Sequence, residues 1–275
     1  MSRWRAPRRA SPIIWRGTAK RRRSRDVSNL KDIRAEEILI SAIAEMLDGL
    51  PHIAVGASSP VPGAAAMLAR ARHPEKTRVS VLGSEKNNFF TDGGKELFDC
   101  AGQGRIDAFF LGGAQIDGQA NINLVSVGDP DRPKVRFPGS FGSAYMYFTV
   151  PRVILFRLEH TPRTLVEKVD FISAPGTSEP HVYRPGGPYA LITDRCLFSF
   201  DREKGVFRLA SVHPGHTVEE IREQTGFEYD EPAEVPETPL PDAETLAVIR
   251  GSVAEQLAEI YPAFAAEVFG LGKAA

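Results

Sequence analysis

Residues 78–117 read RVSVLGSEKNNFFTDGGKELFDCAGQGRIDAFFLGGAQID, and this stretch decides the fold. It opens with a short apolar run through Val79, Val81 and Leu82 and passes into a polar turn. It continues as an amphipathic segment, GKELFDCAGQG, that stops at a glycine. It ends in RIDAFFLGGAQID, where hydrophobicity is nearly continuous. A strand that is apolar on both faces must be covered on both, and strands alternating with helical segments specify a parallel sheet. The expected class is therefore α/β: an open, mostly parallel sheet with helices on both faces.

The pattern extends in both directions. Upstream, Ile38, Leu39, Ala42, Ile43 and Met46 recur at intervals of three and four before Gly49, which predicts an amphipathic helix over Ala35–Leu47 with a glycine stop. HIAVGASSP then reads as a short buried strand and a small-residue turn, and Pro62 stands where the first turn of a helix accepts it. Downstream, ANINLVSVG, RVILFRL, KVDFISAP, YALITDRCLFSFD and VFRLASV read as strands, so the second half is expected to be richer in β-structure. HTVEEIREQTGF carries a capping box, Thr217 with Glu220, and Asp242 is placed to cap a last helix from Ala243 to about Ile260. The domain reading is a basic extension over residues 1–30, one α/β domain over 31–240, and a C-terminal helix and tail over 241–275.

Composition narrows the class. With 275 residues and 42 % hydrophobic content, the chain is long enough for a substantial core. No run of about 18 apolar residues occurs, so no transmembrane helix is expected. Residues 1–25 hold ten Lys or Arg and no acid, leaving 24 basic against 35 acidic groups and a net charge of −11 for the rest. An acidic body without a basic face argues against nucleic acid as a partner. The Arg-rich segment reads as a disordered extension, with a nucleic-acid arm or a targeting segment as the other readings of its composition. Cys100 and Cys196 fall in segments of buried character and are expected to be free thiols in a reducing, cytoplasmic setting.

Three places could carry chemistry. The first is the turn after RVSVLGS, whose one carboxylate is Glu85. The second is FFLGGAQIDGQANIN, where a buried strand ends in Gly112 and Gly113 and then offers Gln115, Asp117, Asn121 and Asn123. Ligands of open parallel sheets bind beyond the carboxyl ends of the strands, and glycine lets a backbone approach a ligand closely; the same residues would equally make a stabilised turn. The dinucleotide spacing Gly-x-Gly-x-x-Gly is missing. The third is RFPGSFGSAYMYF, in which Gly139 and Ser140 suit a backbone nest over a substrate. Pro138 two residues before Ser140 disfavours a serine-hydrolase elbow. His213 and His216 flank a Pro-Gly turn at a helix start, which explains them without a metal. Phe89, Phe90, Phe141, Tyr145 and Tyr147 fit either an acyl pocket or core packing.

Four ordered blocks, LGGAQIDGQANINLVSVGD, PKVRFPGSFGSA, VDFISAPG and HPGHTVEEIREQTGFEYD, make the chain resemble the β subunits of family I CoA-transferases, most of all the glutaconate CoA-transferase type. The resemblance runs from about residue 38 to about residue 238. It implies an open α/β fold, a homologous α partner in an α2β2 assembly, an acyl-CoA substrate, and no metal or other cofactor. It also implies a glutamate at a strand end that attacks the thioester, with N–H donors around the developing oxyanion. Laid on that strand, RVSVLGS puts Leu82 at the glutamate position, with Gly83 and Ser84 after it. Glu85 lies three residues further on, up to about 10 Å of chain away, and three readings stand for it: a displaced nucleophile, an exposed turn carboxylate, or an acid/base or orienting group.

The resemblance therefore leaves three functions open. One is a CoA-transferase subunit with Glu85 as catalytic residue and Gly112, Gly113, Gln115, Asn121, Gly139 and Ser140 binding substrate. The second is a subunit of a CoA-thioester ring-opening hydrolase of steroid-degradation type that lacks this nucleophile. The third is a non-catalytic acyl-CoA-binding module.

Overall fold

The computed structural model of the chain describes residues 32–271, so the basic extension read over residues 1–30 lies outside the described residues. Helix α1 (Ala35–Leu47) leads to β1 (His52–Val55), α2 (Pro60–Arg72), β2 (Arg78–Val81), α3 (Gly93–Gly102) and β3 (Ala108–Leu111). Two small ribbons follow, β4 (Gln115–Ile116) with β5 (Ile122–Asn123) and β6 (Ser126–Val127) with β7 (Val135–Arg136). Then come α4 (Ser143–Thr149), β8 (Arg152–Phe156), β9 (Pro188–Ile192), β10 (Cys196–Asp201), β11 (Val206–Val212) and α5 (Val218–Gln224). The chain continues through α6 (Ala243–Val248), a π-helical turn (Ile249–Val253), α7 (Ala254–Ile260) and α8 (Pro262–Phe269).

The main sheet has seven strands in the order β11-β10-β9-β8-β3-β1-β2. The five from β9 to β2 run parallel, and β10 and β11 extend the sheet as an antiparallel hairpin. Alternate residues of each parallel strand feed two cores, the period of two that a pleated strand imposes. Ile53, Val55, Phe110 and Ile154 face α1, α2 and the C-terminal helices, which contribute Ile40, Ile43, Met67, Leu68, Ile249, Val253 and Leu257. Ala54, Phe109, Val153 and Leu155 face the other way, toward Leu97, Cys100, Met146, Tyr147 and Ile221 of α3, α4 and α5. Both faces are covered, as continuous strand hydrophobicity demands.

Several local expectations are met and others are corrected. Thr217 accepts the Glu220 backbone N–H at 3.2 Å and Asp242 accepts that of Thr245 at 2.8 Å, so both caps form. Helix α2 begins at Pro60, two residues before Pro62. ANINLVSVG does not join the main sheet: it divides into β5 and β6, each paired in its own ribbon. KVDFISAP makes no strand: the Val169 and Asp170 N–H groups donate to the side chains of Asp117 and Gln115, and those of Ser173 and Ala174 donate to the Ile122 carbonyl, one isolated bridge and not a ladder. The last helix is broken at Gly251, whose φ −98° and ψ −106° are not helical. Cys100 and Cys196 are buried free thiols.

Candidate active site

The carboxyl ends of β1, β2, β3 and β8 open into one cavity of about 950 Å³. Its walls are Gly56 and Ala57 after β1, Leu82 after β2, Gly112 to Ala114 after β3, Arg157 and Glu159 after β8, and the turn 137–143 that leads into α4. Parallel strands point their carboxyl ends at the same edge, so the topology alone gathers these turns. Most of the lining is apolar, with Leu97, Phe98, Phe109, Phe110, Phe137, Met146 and Phe156 among it.

The glycines are there because larger residues do not fit. A Cβ at Gly112 would lie 3.0 Å from the Phe156 carbonyl oxygen, and one at Gly113 would lie 2.6 Å from Ile122 Cγ2. At Gly139 the reason is conformational, since φ is +116°. Phe141, two residues on, holds φ +47° without being a glycine and is 85 % exposed with its ring against Phe98. A non-glycine residue at positive φ in an exposed turn marks stored strain at the mouth of the cavity.

Gly112, Gly113, Gly139 and Ser140 thus line the cavity. Gln115 and Asn121 stand behind it, with their side chains engaged by the protein. Gln115 accepts from Asn123 Nδ2 at 2.7 Å and donates to Asp170 at 3.1 Å; Asn121 donates to Asp117 at 3.1 Å and accepts from the Gly176 N–H at 3.1 Å. Glu85 is exposed and outside the lining; its backbone N–H donates to Glu259 Oε1 at 2.8 Å, and Ser84 Oγ donates to Glu259 Oε2 at 2.8 Å. At the end of β2 the cavity meets Leu82, which is half-buried and packs on the core. Of the five aromatic residues weighed in the sequence, Phe141 alone lines the cavity; Tyr147 is buried and donates its hydroxyl to the Ala120 carbonyl at 2.9 Å.

The lining also holds charge that its sequence pattern did not signal. Arg157, Glu159 and Arg163 are its charged residues among those described. Glu159 accepts from Arg157 Nη2 at 2.8 Å, from Arg163 Nη2 at 2.5 Å and Nε at 3.1 Å, and from Thr161 Oγ1 at 3.2 Å. The Arg163 hydrogen bond, with those of Arg157 and Thr161, holds its carboxyl below the usual carboxylate range against the opposing effect of burial. Such a carboxylate is ionised but has its oxygens occupied, which makes it a poor nucleophile and a good anchor for two guanidinium groups. Nothing in the spacing of FRLEHTPR distinguishes this from a solvated charged loop, because the cluster exists only once β8 and its following turn reach the cavity. The histidine pair is structural: His213 bonds Thr238 Oγ1 at 2.8 Å and the Thr193 carbonyl at 3.1 Å, and His216 bonds Glu220 at 2.9 Å.

Residues 37–224 match the family model for Coenzyme A transferase. The chain belongs to the Coenzyme A transferase family. Relatives of this family member include the B-type subunit of the 3-oxoadipate CoA-transferase of Pseudomonas knackmussii, 38 % identical over 54 % of this chain and 58 % of that protein. The B-type subunit of the glutaconate CoA-transferase of Acidaminococcus fermentans is 34 % identical over 52 % of this chain and 56 % of its own length. A cholesterol ring-cleaving hydrolase IpdB subunit of Rhodococcus jostii is 28 % identical over 57 % and 62 %. The chain therefore spans a little over half the length of the curated relatives it matches. Among solved structures, the decarboxylase AibA/AibB superposes with a TM-score of 0.69 at 26 % identity, covering 88 % of this transferase-family chain and 100 % of the other.

Proposed function

We propose that this chain is the β subunit of a CoA-transferase that moves CoA between an acyl-CoA thioester and a carboxylic acid, working with a homologous α subunit in an α2β2 assembly. The observation that carries the reading is the apolar cavity at the carboxyl ends of β1, β2, β3 and β8, bounded by the Gly112–Gly113 and Gly139–Ser140 turns, in a chain of this family. Apolar walls suit the acyl group, and small residues at the strand ends let the thioester approach the backbone. Transfer needs a carboxylate that attacks the thioester carbon and expels the CoA thiolate, giving a mixed anhydride. The thiolate then attacks the enzyme's carbonyl carbon, releasing the free acid and leaving an enzyme-bound CoA thioester. Glu159 is engaged by Arg157 and Arg163, so in this reading the carboxylate is Glu85 brought in by a shift of its turn. The reaction requires no metal or organic cofactor, and a cytoplasmic location belongs to the same reading.

A second reading, hydrolysis of a CoA thioester with water activated by the partner's carboxylate, is favoured by one observation: Leu82, the position at which the resemblance sets the family's glutamate, lines the cavity at the end of β2. The experiment is co-expression with the α partner and incubation with acyl-CoA and an acceptor acid. Borohydride trapping and peptide mapping follow. CoA exchange with a reduced adduct on Glu85 establishes transfer; release of CoA without exchange and without an adduct on this chain establishes hydrolysis.

A further inference from the structure

The turn that carries Glu85 is tied down by a helix 175 residues away in sequence. Residues 81–87 close on themselves: the Val81 N–H donates to the Asn87 carbonyl at 2.8 Å, and the Asn87 N–H donates to Ser84 Oγ at 2.8 Å. Helix α7 holds this closed turn at two points. Glu259 takes the Ser84 hydroxyl on one carboxylate oxygen and the Glu85 N–H on the other. Gln256 accepts from Arg70, whose other terminal nitrogen donates to Asn87 Oδ1 at 2.9 Å. The Glu85 carboxylate has no hydrogen-bond or ion-pair partner among the described residues, so the backbone is held while the reacting group is left free.

Two features suit this arrangement to a change of position. Gly83 lies between Leu82 of the cavity wall and the held pair, is exposed and has φ +90°; a Cβ there would meet nothing closer than Ala57 Cβ at 3.9 Å, so the turn has room to rotate about it. Glu259 stands in the last turn of α7, where the helix dipole disfavours a carboxylate, so its placement is explained by the turn it holds and not by the helix. A segment held in one position and needed in another lowers the rate by the fraction of chains in which it is released. Resting on the transfer reading above, we propose that α7 is an autoinhibitory latch: Glu259 holds Glu85 outside the cavity, and its release lets the Glu85 carboxylate reach the thioester. A Glu85 oxygen then bonds to the thioester carbon as the carbon–sulfur bond breaks. The expelled thiolate bonds to the glutamyl carbonyl carbon and the acid leaves as its carboxylate, with no net exchange of protons or electrons.

The test compares the parent, Glu259→Ala and Glu259→Gln, each as the full chain co-purified with its α partner, with acetyl-, butyryl- and succinyl-CoA as probes. The rate at which a borohydride-reducible adduct forms on Glu85 reports entry of the carboxylate, and amide exchange of residues 84–87 reports release of the turn. Glu259→Ala removes both contacts and should speed adduct formation about tenfold while raising that exchange. A purely structural role would move the rate the other way, because loosening a competent site slows it. Glu259→Gln keeps an acceptor for the Glu85 N–H and can donate to Ser84 Oγ, so it should stay within about threefold of the parent in both readouts. Gln256→Ala frees the Asn87 end of the turn through Arg70; it should act in the same direction as Glu259→Ala and takes its place if that variant does not fold. Adduct formation on Glu85 that is unchanged or slower in the released variant, or unchanged exchange at residues 84–87, would overturn the latch and leave the transfer reading standing. Absence of a Glu85 adduct in the parent and every variant, with all three probes, would overturn the transfer reading and the latch with it.

Discussion

Leu82 occupies the end of β2 with its side chain half-buried against the core and its backbone N–H bonded to the Val55 carbonyl at 2.9 Å. The parallel pairing of β1 with β2 holds that backbone rigidly, so a side chain at this position projects into the cavity whatever its chemistry. Placing a carboxylate here is therefore a direct test of whether the end of β2 can carry the nucleophile that the proposed transfer needs. In the co-purified complex, Leu82→Glu should create a borohydride-reducible CoA adduct at residue 82 and raise CoA exchange above the parent's level. Absence of an adduct, with the variant folded, would show that the surrounding donors are not arranged for covalent transfer. Much at this scale was legible in sequence: the Gly112–Gly113 and Gly139–Ser140 turns and the residue after β2, all of which line the cavity, come from contiguous motifs. Gln115 and Asn121 read as substrate contacts because a polar residue after a glycine turn looks alike whether it faces ligand or protein. Their roles are set by Asp170, 55 residues from Gln115, and by Gly176, which no local pattern reveals.

The helices outside the matched segment reach the cavity's rim. In the last turn of α7, Glu259 accepts from Ser84 Oγ and the Glu85 N–H, and next to it Tyr261 donates its hydroxyl to the Gly56 carbonyl at 3.1 Å and accepts the Ser59 N–H at 3.4 Å. One helix end thus pins the turns after both β1 and β2. Tyr261→Phe keeps the ring packed on Gly63 but removes both bonds, which should cost about 1–2 kcal/mol in urea unfolding. Faster amide exchange confined to residues 56–59 would locate the effect; a uniform loss of protection would show instead that the hydroxyl stabilises the whole domain. Asp242 and the apolar period announced this helical run, but its break was less visible. Gly251 weakens a helix interior by about 1 kcal/mol relative to alanine and tolerates the non-helical φ/ψ found there. Pro262 then opens α8 at a first-turn position, where its missing N–H is no loss.

Across the whole molecule, the antiparallel end of the sheet is locked to the loops beside it by buried neutral histidines, and these give the fold a pH dependence. The order of the strands was not readable from their sequences, since every parallel strand presents a similar apolar run, and neither was the polar cluster that the order creates. His160 bonds Thr193 Oγ1 at 2.8 Å and Thr225 Oγ1 at 2.9 Å, linking the turn after β8, the end of β9 and the end of α5. Burial lowers its pKa to about 4, with Arg195, His216 and His213 acting in the same sense and Glu220 opposing. His213 is also lowered to about 4, by burial and His216, against its bond to the Thr193 carbonyl. An unfolded histidine titrates near 6.5, so between pH 6.5 and 4 the unfolded chain binds more protons than the folded one. Stability from these residues is fully present above pH 6.5 and falls as pH drops toward 4, by on the order of 2 kcal/mol per histidine at pH 5. His52, lowered chiefly by burial, acts in the same sense. Asp107 and Asp194, whose carboxyls burial raises, act in the opposite sense, gaining stability as they protonate. Urea unfolding at pH 7 and pH 5 should therefore show a marked loss at the lower pH, reduced by a His160→Gln, His213→Gln double variant even if that variant is less stable at pH 7. An unchanged difference between the two pH values would place the titration elsewhere in the molecule.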